Sequence, residues 1–183
     1  MNAPLTAEAD WHHPLAGMAS SPVRAVDHLD ICRRQAVGRV LAAPGEGAAV
    51  AAILAQIEGV RTAGVEEWLV VDAGTDGSLA LDLAERLGDL AFVLDASDAD
   101  ICLRLSGPNS RRILAKGIGI DLHPDVFGIG AAGYTLCHGI RLHLARMADT
   151  SFEILVPRSY AQSLMDALKR MGREFDLSTG FSA

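Results

Sequence analysis

Residues 101–116 read ICLRLSGPNSRRILAK, and the reading of this stretch decides the fold. Ile101, Leu103 and Leu105 alternate with Cys102, Arg104 and Ser106, the period of a half-buried strand. Gly107 frees the backbone to turn. Pro108 suits a first helical position, where its missing N–H costs nothing. Ser106 or Gly107 can serve as the N-cap. Ile113 and Leu114 aim the helix inward, and Gly117 stands where a C′ glycine would stop it. A strand turning into a helix in this way needs flanking segments that cover both.

Working outward, Ala91–Asp95 and Ile101–Ser106 read as two strands of a hairpin with a long loop, Ala96–Asp100. Upstream, Glu67–Val71 is a buried-strand run. Thr75 or Asp76 is placed to cap a helix carrying Leu79, Leu83 and Leu87, stopped by Gly88. Val50, Ile53, Leu54 and Ile57 mark an earlier helix, and Gln35–Ala42 an earlier strand, weakened by Gly38. Asp27–Arg34 is a short helix or strand.

Downstream, a glycine-rich loop, Gly117–Gly133, leads to strands at Tyr134–His138, Arg141–Arg146 and Phe152–Val156. Ser159 can cap a last helix with Tyr160, Leu164, Met165, Leu168 and Met171 on its apolar side. This order predicts an α+β protein of two small interleaved ferredoxin-like, split β-α-β layers. It divides into an extended N-terminal arm (1–27), an α/β subdomain (28–90) and an α+β subdomain (91–183).

The chain has 183 residues, half of them hydrophobic and 5% aromatic, enough for a core without disulfides or metals. Cys32, Cys102 and Cys137 are odd in number and far apart, which suits a reducing compartment. No apolar run has signal-peptide or membrane-spanning length, so a cytoplasmic location is expected. The net charge of −7 argues against nucleic-acid binding. It is uneven, −10 over residues 1–100 and +3 over 101–183, so a basic C-terminal half facing an acidic partner stands beside two differently solvated surfaces.

Motifs for chemistry mostly fail on context. Gly128, Gly130 and Gly133 match G-x-G-x-x-G, with Asp149 further on, but lead into a strand rather than a helix. Asp72–Gly77 resembles the start of a calcium loop, yet Leu83 falls where the bidentate carboxylate belongs. Asp95, Asp98 and Asp100 crowd one loop; His138 and His143 flank a turn and with Asp149 would make an incomplete metal set. His12 and His13 form a further pair on the arm. Arg104, Arg111, Arg112 and Lys116 cluster around the central helix as an anion site or a solvated face. No catalytic, cofactor-binding or metal-binding residue is assigned.

The run Leu103–Pro108, the segments Ala115–Gly117 and Ile120–Pro124, and the end Phe152–Tyr160 resemble the gamma subunit of heterotetrameric sarcosine oxidase. Glu67–Leu69 and, more loosely, His13–Ala16 are similar to further parts of that family. L-x-L-S-G-P is shared with folate-binding aminomethyltransferase-like domains. The resemblance implies a subunit without catalysis or bound cofactor, in a complex that demethylates sarcosine to glycine oxidatively. It implies alpha, beta and delta partner subunits carrying FAD, FMN, NAD, tetrahydrofolate and zinc. Residues 148–153 lack the T-G-E-x-G pattern of true aminomethyltransferases, which weighs against the alternative of a free-standing tetrahydrofolate-binding one-carbon transferase. A subunit of a related N-methyl amino acid oxidase or dehydrogenase is the other alternative. A substrate-channelling interface element, acting through Arg104 or Arg111, is a third.

Overall fold

The computed structural model describes residues 13–18, 25–33, 35–72 and 78–182. In chain order the elements are β1 (His28–Ile31), β2 (Ala36–Ala42), α1 (Gly47–Leu54), β3 (Val60–Gly64), β4 (Glu67–Asp72) and α2 (Leu79–Leu87). Then come β5 (Ala91–Asp95), β6 (Asp100–Ser106), α3 (Ser110–Leu114), β7 (Ala132–Cys137), β8 (Ile140–Ala148), β9 (Ser151–Pro157), α4 (Ala161–Gly172) and β10 (Ser178–Phe181).

Strand β6 lies near the middle of a six-stranded sheet ordered β10-β1-β6-β9-β8-β7; a second sheet is ordered β3-β4-β2-β5. Every pairing is antiparallel except β1 with β10. The second sheet is one β-α-β-β-α-β unit, from β2 to β5. The larger sheet repeats the plan from β6 to β10, with β1 inserted between β10 and β6 and β7 added at the far edge. The two units interleave because β1 precedes the first unit in sequence and pairs inside the second.

Alternation sorts the side chains into four layers. Leu103, Leu105, Leu144, Ile154 and Val156 of the large sheet meet Ile113 and Leu114 of α3 and Leu164, Met165 and Leu168 of α4. Val40 and Val70 of the small sheet meet Val50 and Leu54 of α1 and Leu83 and Leu87 of α2. Between the sheets, Val37, Ala63, Leu69 and Val71 face Cys32, Cys102 and Leu155. The expected α+β fold of two split β-α-β layers is the fold observed.

Several local expectations are corrected. The strands at 91–95 and 101–106 are not a hairpin: β5 pairs with β2 and β6 with β1 and β9, so Ala96–Ala99 carries the chain from one sheet to the other. Accordingly β1, at residues 28–31, lies in the large sheet, whereas β5, at 91–95, lies in the small one. Segments β3 and β10 are strands where none was expected. Pro108 precedes the central helix and Asn109 holds its N-cap position, because the Asp27 carboxylate accepts both the Asn109 N–H (2.8 Å) and its Nδ2–H (2.8 Å). Gly117 does not adopt a left-handed φ; its lack of a side chain admits Met171 and His138, whose Sδ and Nε2 would stand 2.7 and 2.8 Å from a Cβ. Ser159 sits in a 3-10 turn ahead of α4, and Tyr160 takes the N-cap position. Thr75 and Asp76 lie outside the described residues.

Part of the arm docks on its own chain. Leu15 is fully buried in the α3–α4 core. The Pro14 carbonyl accepts from Gln162 Nε2 (3.0 Å), and the Met18 carbonyl from Lys169 Nζ (2.7 Å).

Gly107 holds φ at +128°, and an added Cβ would collide with Asp27 Oδ1 and the Val26 carbonyl. Gly107→Ala is therefore expected to lower stability by about 1–3 kcal/mol, read as a reduced urea midpoint.

Candidate functional site

The strand sequence Phe152–Pro157 is apolar on both faces except at Glu153, whose side chain points between the sheets with 1% exposure. A carboxylate there stays ionised only if it is paired. Arg61 on β3 approaches Glu153 Oε1 through Nη1, and Arg104 on β6 donates from Nη2 to Oε2 at 2.9 Å. Register explains the second contact, since Arg104 lies directly opposite Glu153. The first comes from the other sheet. Burial alone would raise the Glu153 carboxyl; the Arg61 charge and the bonds from both arginines overcome it and hold the group below the usual carboxylate range. The bond to Glu153 in turn pushes the Arg104 guanidinium up.

His143 on β8 stands in the same layer at 1% exposure, opposite Leu155 and Tyr134. Its Nε2 lies 2.9 Å from the Thr62 carbonyl, so Nε2 carries the proton. Burial pushes the His143 imidazole down, and the Thr62 bond only partly offsets this. Tyr134 meets the ring edge-on at 5.2 Å and receives a hydrogen bond from Arg39 Nη2 at 2.9 Å; Arg141 lies over its face at 3.7 Å. A cleft of about 470 Å³ opens beside the arginines, lined among others by Gln35, Arg61, Arg104, Met147 and Glu153. Arg104 keeps 43% of its side chain exposed there, whereas Arg61 keeps 7%. Chemically, Glu153 is a poor proton carrier, since both its oxygens are engaged and its acid form is disfavoured.

The GCVT N-terminal domain family matches residues 53–183. Sarcosine oxidase subunit gamma of Corynebacterium sp. (strain P-1) is 34% identical over 155 residues, covering 74% of this chain and 76% of that one. The chain belongs to the sarcosine oxidase gamma-subunit family. Sarcosine oxidase subunit gamma of an Arthrobacter sp is 35% identical over 98 residues, or 53% of this chain and 47% of the relative. A chain of the heterotetrameric sarcosine oxidase from Corynebacterium sp. U-96, in complex with pyrrole 2-carboxylate, superposes with a TM-score of 0.76 at 27% identity, covering 94% of this chain and 99% of that one. The glycine cleavage system aminomethyltransferase T from Bartonella henselae shares the fold, with a TM-score of 0.61 at 18% identity over 85% of this chain and 48% of that one.

In this gamma-family chain, the motifs that carry the resemblance fall on adjacent strands: Leu103–Pro108 runs along β6 into its corner, and Phe152–Pro157 lies on β9. Among the described residues, the separate candidate clusters do not assemble. Gly130 turns with φ +85° and Gly133 enters β7, so no helix follows the glycine motif. Asp72 ends β4, and 73–77 lie outside the described residues. Asp95 accepts from the Ser97 N–H (2.9 Å) and hydroxyl (2.5 Å). His138 sits in the β7–β8 turn beside α4, away from the layer that holds His143, and Asp149 pairs with Arg146 at 2.6 Å. His13 packs edge-on against Phe181 at 5.1 Å; His12 lies outside the described residues. Arg112 and Lys116 stack on Phe175, Lys116 pairs with Glu174 at 2.8 Å, and Arg111 reaches the Asp149 carbonyl. Only Arg104 of that cluster enters the intersheet layer. Among the described residues, no three of His, Cys, Asp and Glu gather to hold a metal ion. No helix of the described residues is long and apolar enough to cross a membrane.

Sequence reasoning passed over Arg61, because the strand that carries it was not expected. Glu153 could have been found, as a charge inside a strand apolar on both faces requires a counter-ion. Cys32 and Cys102, taken as far apart, are neighbours on paired strands.

Removing the Glu153 carboxylate leaves Arg61 buried and uncompensated, so Glu153→Ala is expected to cost about 3–5 kcal/mol in urea unfolding. Arg104→Ala, at a half-exposed position, is expected to cost less. Acid should act in two stages. Below about pH 6.5 the unfolded His143 takes up a proton that the buried ring resists; below about pH 4.3 the unfolded Glu153 does the same. Both therefore stabilise the fold at neutral pH and lose that contribution as pH falls. His143→Gln is expected to flatten the upper part of the urea-midpoint profile only.

Proposed function

We propose that this protein is the non-catalytic gamma subunit of a heterotetrameric oxidase that demethylates sarcosine to glycine. It assembles with alpha, beta and delta chains in the cytoplasm, and FAD, FMN, NAD, tetrahydrofolate and zinc reside on those partners. The observation that carries this reading is the near end-to-end likeness to a chain of the Corynebacterium sp. U-96 oxidase, with 94% and 99% of the two chains covered.

Its surface supports the same reading. On the small sheet, Leu41 lies opposite Phe92, and Leu94 follows on the same face of edge strand β5. Their exposures are 49, 65 and 63%, so this side of the small sheet extends beyond the cover of the large one. An apolar face on an edge strand is a liability unless another chain covers it. The intersheet ion pair supports a structural role too, because Glu153 and Arg61 join the two sheets.

The test is coexpression with the flavoprotein and small subunits, followed by purification through a tag on this chain. The expected outcome is copurification, with a flavin spectrum and sarcosine-dependent peroxide formation in the complex only. Phe92→Glu with Leu94→Glu is expected to reduce recovery of the partners while leaving the circular dichroism of the chain unchanged. Flavin bound by the chain alone, or calorimetric heat with tetrahydrofolate, would overturn the reading and favour an independent one-carbon transferase.

A further inference from the structure

Strand β1 ends at Ile31, opposite Leu103, and the next residue continues the register: the Cys32 N–H donates to the Cys102 carbonyl at 3.1 Å. Opposed residues joined in this way have Cα atoms about 5.5 Å apart, within the span of about 4.4–6.8 Å that a disulfide bridges. Both side chains enter the layer between the sheets, where they are 3 and 4% exposed and hydrogen-bond to each other. Cys137 lies on the other side of the large sheet, in the α3–α4 core. All three thiols are free.

The two thiols are not equivalent. The bond from Cys102, helped by the Arg104 charge, pushes the Cys32 thiol down against the effect of burial; that same bond, with burial, pushes Cys102 well up. Beside the pair lies a cavity of about 10 Å³, lined among others by Cys32, Cys102, Gln35 and Asp100 and bounded by the exposed Arg33. That volume admits a molecule near the size of water. Gln35, which lines both this cavity and the cleft beside the arginines, has a buried Oε1 without a hydrogen-bond partner among the described residues.

We propose that Cys32 and Cys102 form a dithiol site that a small hydroperoxide oxidises to an intrachain disulfide. The Cys32 thiolate attacks one peroxide oxygen and breaks the O–O bond; the departing oxygen takes up a proton and leaves as water, and Cys32 becomes a sulfenic acid. The Cys102 sulfur then attacks the Cys32 sulfur and expels the sulfenic oxygen, which leaves as a second water with the Cys102 proton. Two thiols and one hydrogen peroxide give one disulfide and two waters. The cavity favours the smallest oxidants: its volume is near that of one water, and a bulky disulfide such as oxidised glutathione does not enter it. The inference needs no partner subunit and stands independently of the assignment above.

The test exposes the native full-length chain to hydrogen peroxide and reads intact mass and non-reducing peptide maps. The expected result is loss of the mass of two hydrogens, a Cys32–Cys102 linked peptide, an unmodified Cys137, and reversal by dithiothreitol. Cys137→Ser should behave as the parent. Cys102→Ser should stop at the sulfenic acid, trapped by dimedone on Cys32. Oxidised glutathione over the same interval should leave the pair reduced. Free thiols after peroxide treatment, linkage through Cys137, or a glutathione adduct on Cys32 would each overturn the proposal.

Discussion

The fold depends on how a carboxylate came to lie between two sheets. Glu153 occupies the middle of a strand that is apolar on both faces, and its burial is tolerable only because Arg61 and Arg104 reach it from opposite sheets. Arg104 is its neighbour within the large sheet, so that contact follows from strand register. Arg61 is different. It stands on β3, an edge strand of the small sheet, and the carbonyl of its successor Thr62 accepts a hydrogen bond from His143. Two consecutive residues of one edge strand thus hold the small sheet over the centre of the large one. The apolar contact between the sheets is modest, made largely of Val, Ala and Cys side chains. Apolar contact alone would let such sheets slide; a buried ion pair and a directed hydrogen bond have one position in which they are satisfied.

What could be read from the sequence follows from how local each signal is. Ile101, Leu103 and Leu105 announce β6 because alternation is a property of consecutive residues, and Leu164, Met165, Leu168 and Met171 announce α4 in the same way. The order of elements then sufficed for the α+β layers. Pairing was not legible, because it is decided by partners far along the chain. The stretches at 91–95 and 101–106 look like a hairpin by proximity, yet each finds a better-matched face elsewhere. Strand β10 is only four residues long and is made a strand by β1, whose His28 lies opposite Ser178. Strand β3, Val60–Gly64, includes a register shift between Thr62 and Gly64 that hides its alternation. Missing β3 meant missing Arg61, and with it the partner that Glu153 requires. The pairing of Cys32 with Cys102 was invisible for the same reason.

The distribution of polar groups also determines what the buried titratable groups of the intersheet layer can do. The charged side chains that the fold takes inward are paired by the fold itself: Asp27 by Asn109, Glu153 by the two arginines, and Arg146 by Asp149 and the Phe127 carbonyl. A reacting carboxylate needs the opposite treatment, a lone pair or proton kept available and an acidity near the working pH. Glu153 is held well on the ionised side, and His143 on the neutral side with its proton committed to Thr62. Apolar residues show the reverse distribution. Leu41, Phe92 and Leu94 remain outside, on a sheet face and edge that the described residues leave exposed. Ion pairs closed within the fold thus stand beside an open apolar edge.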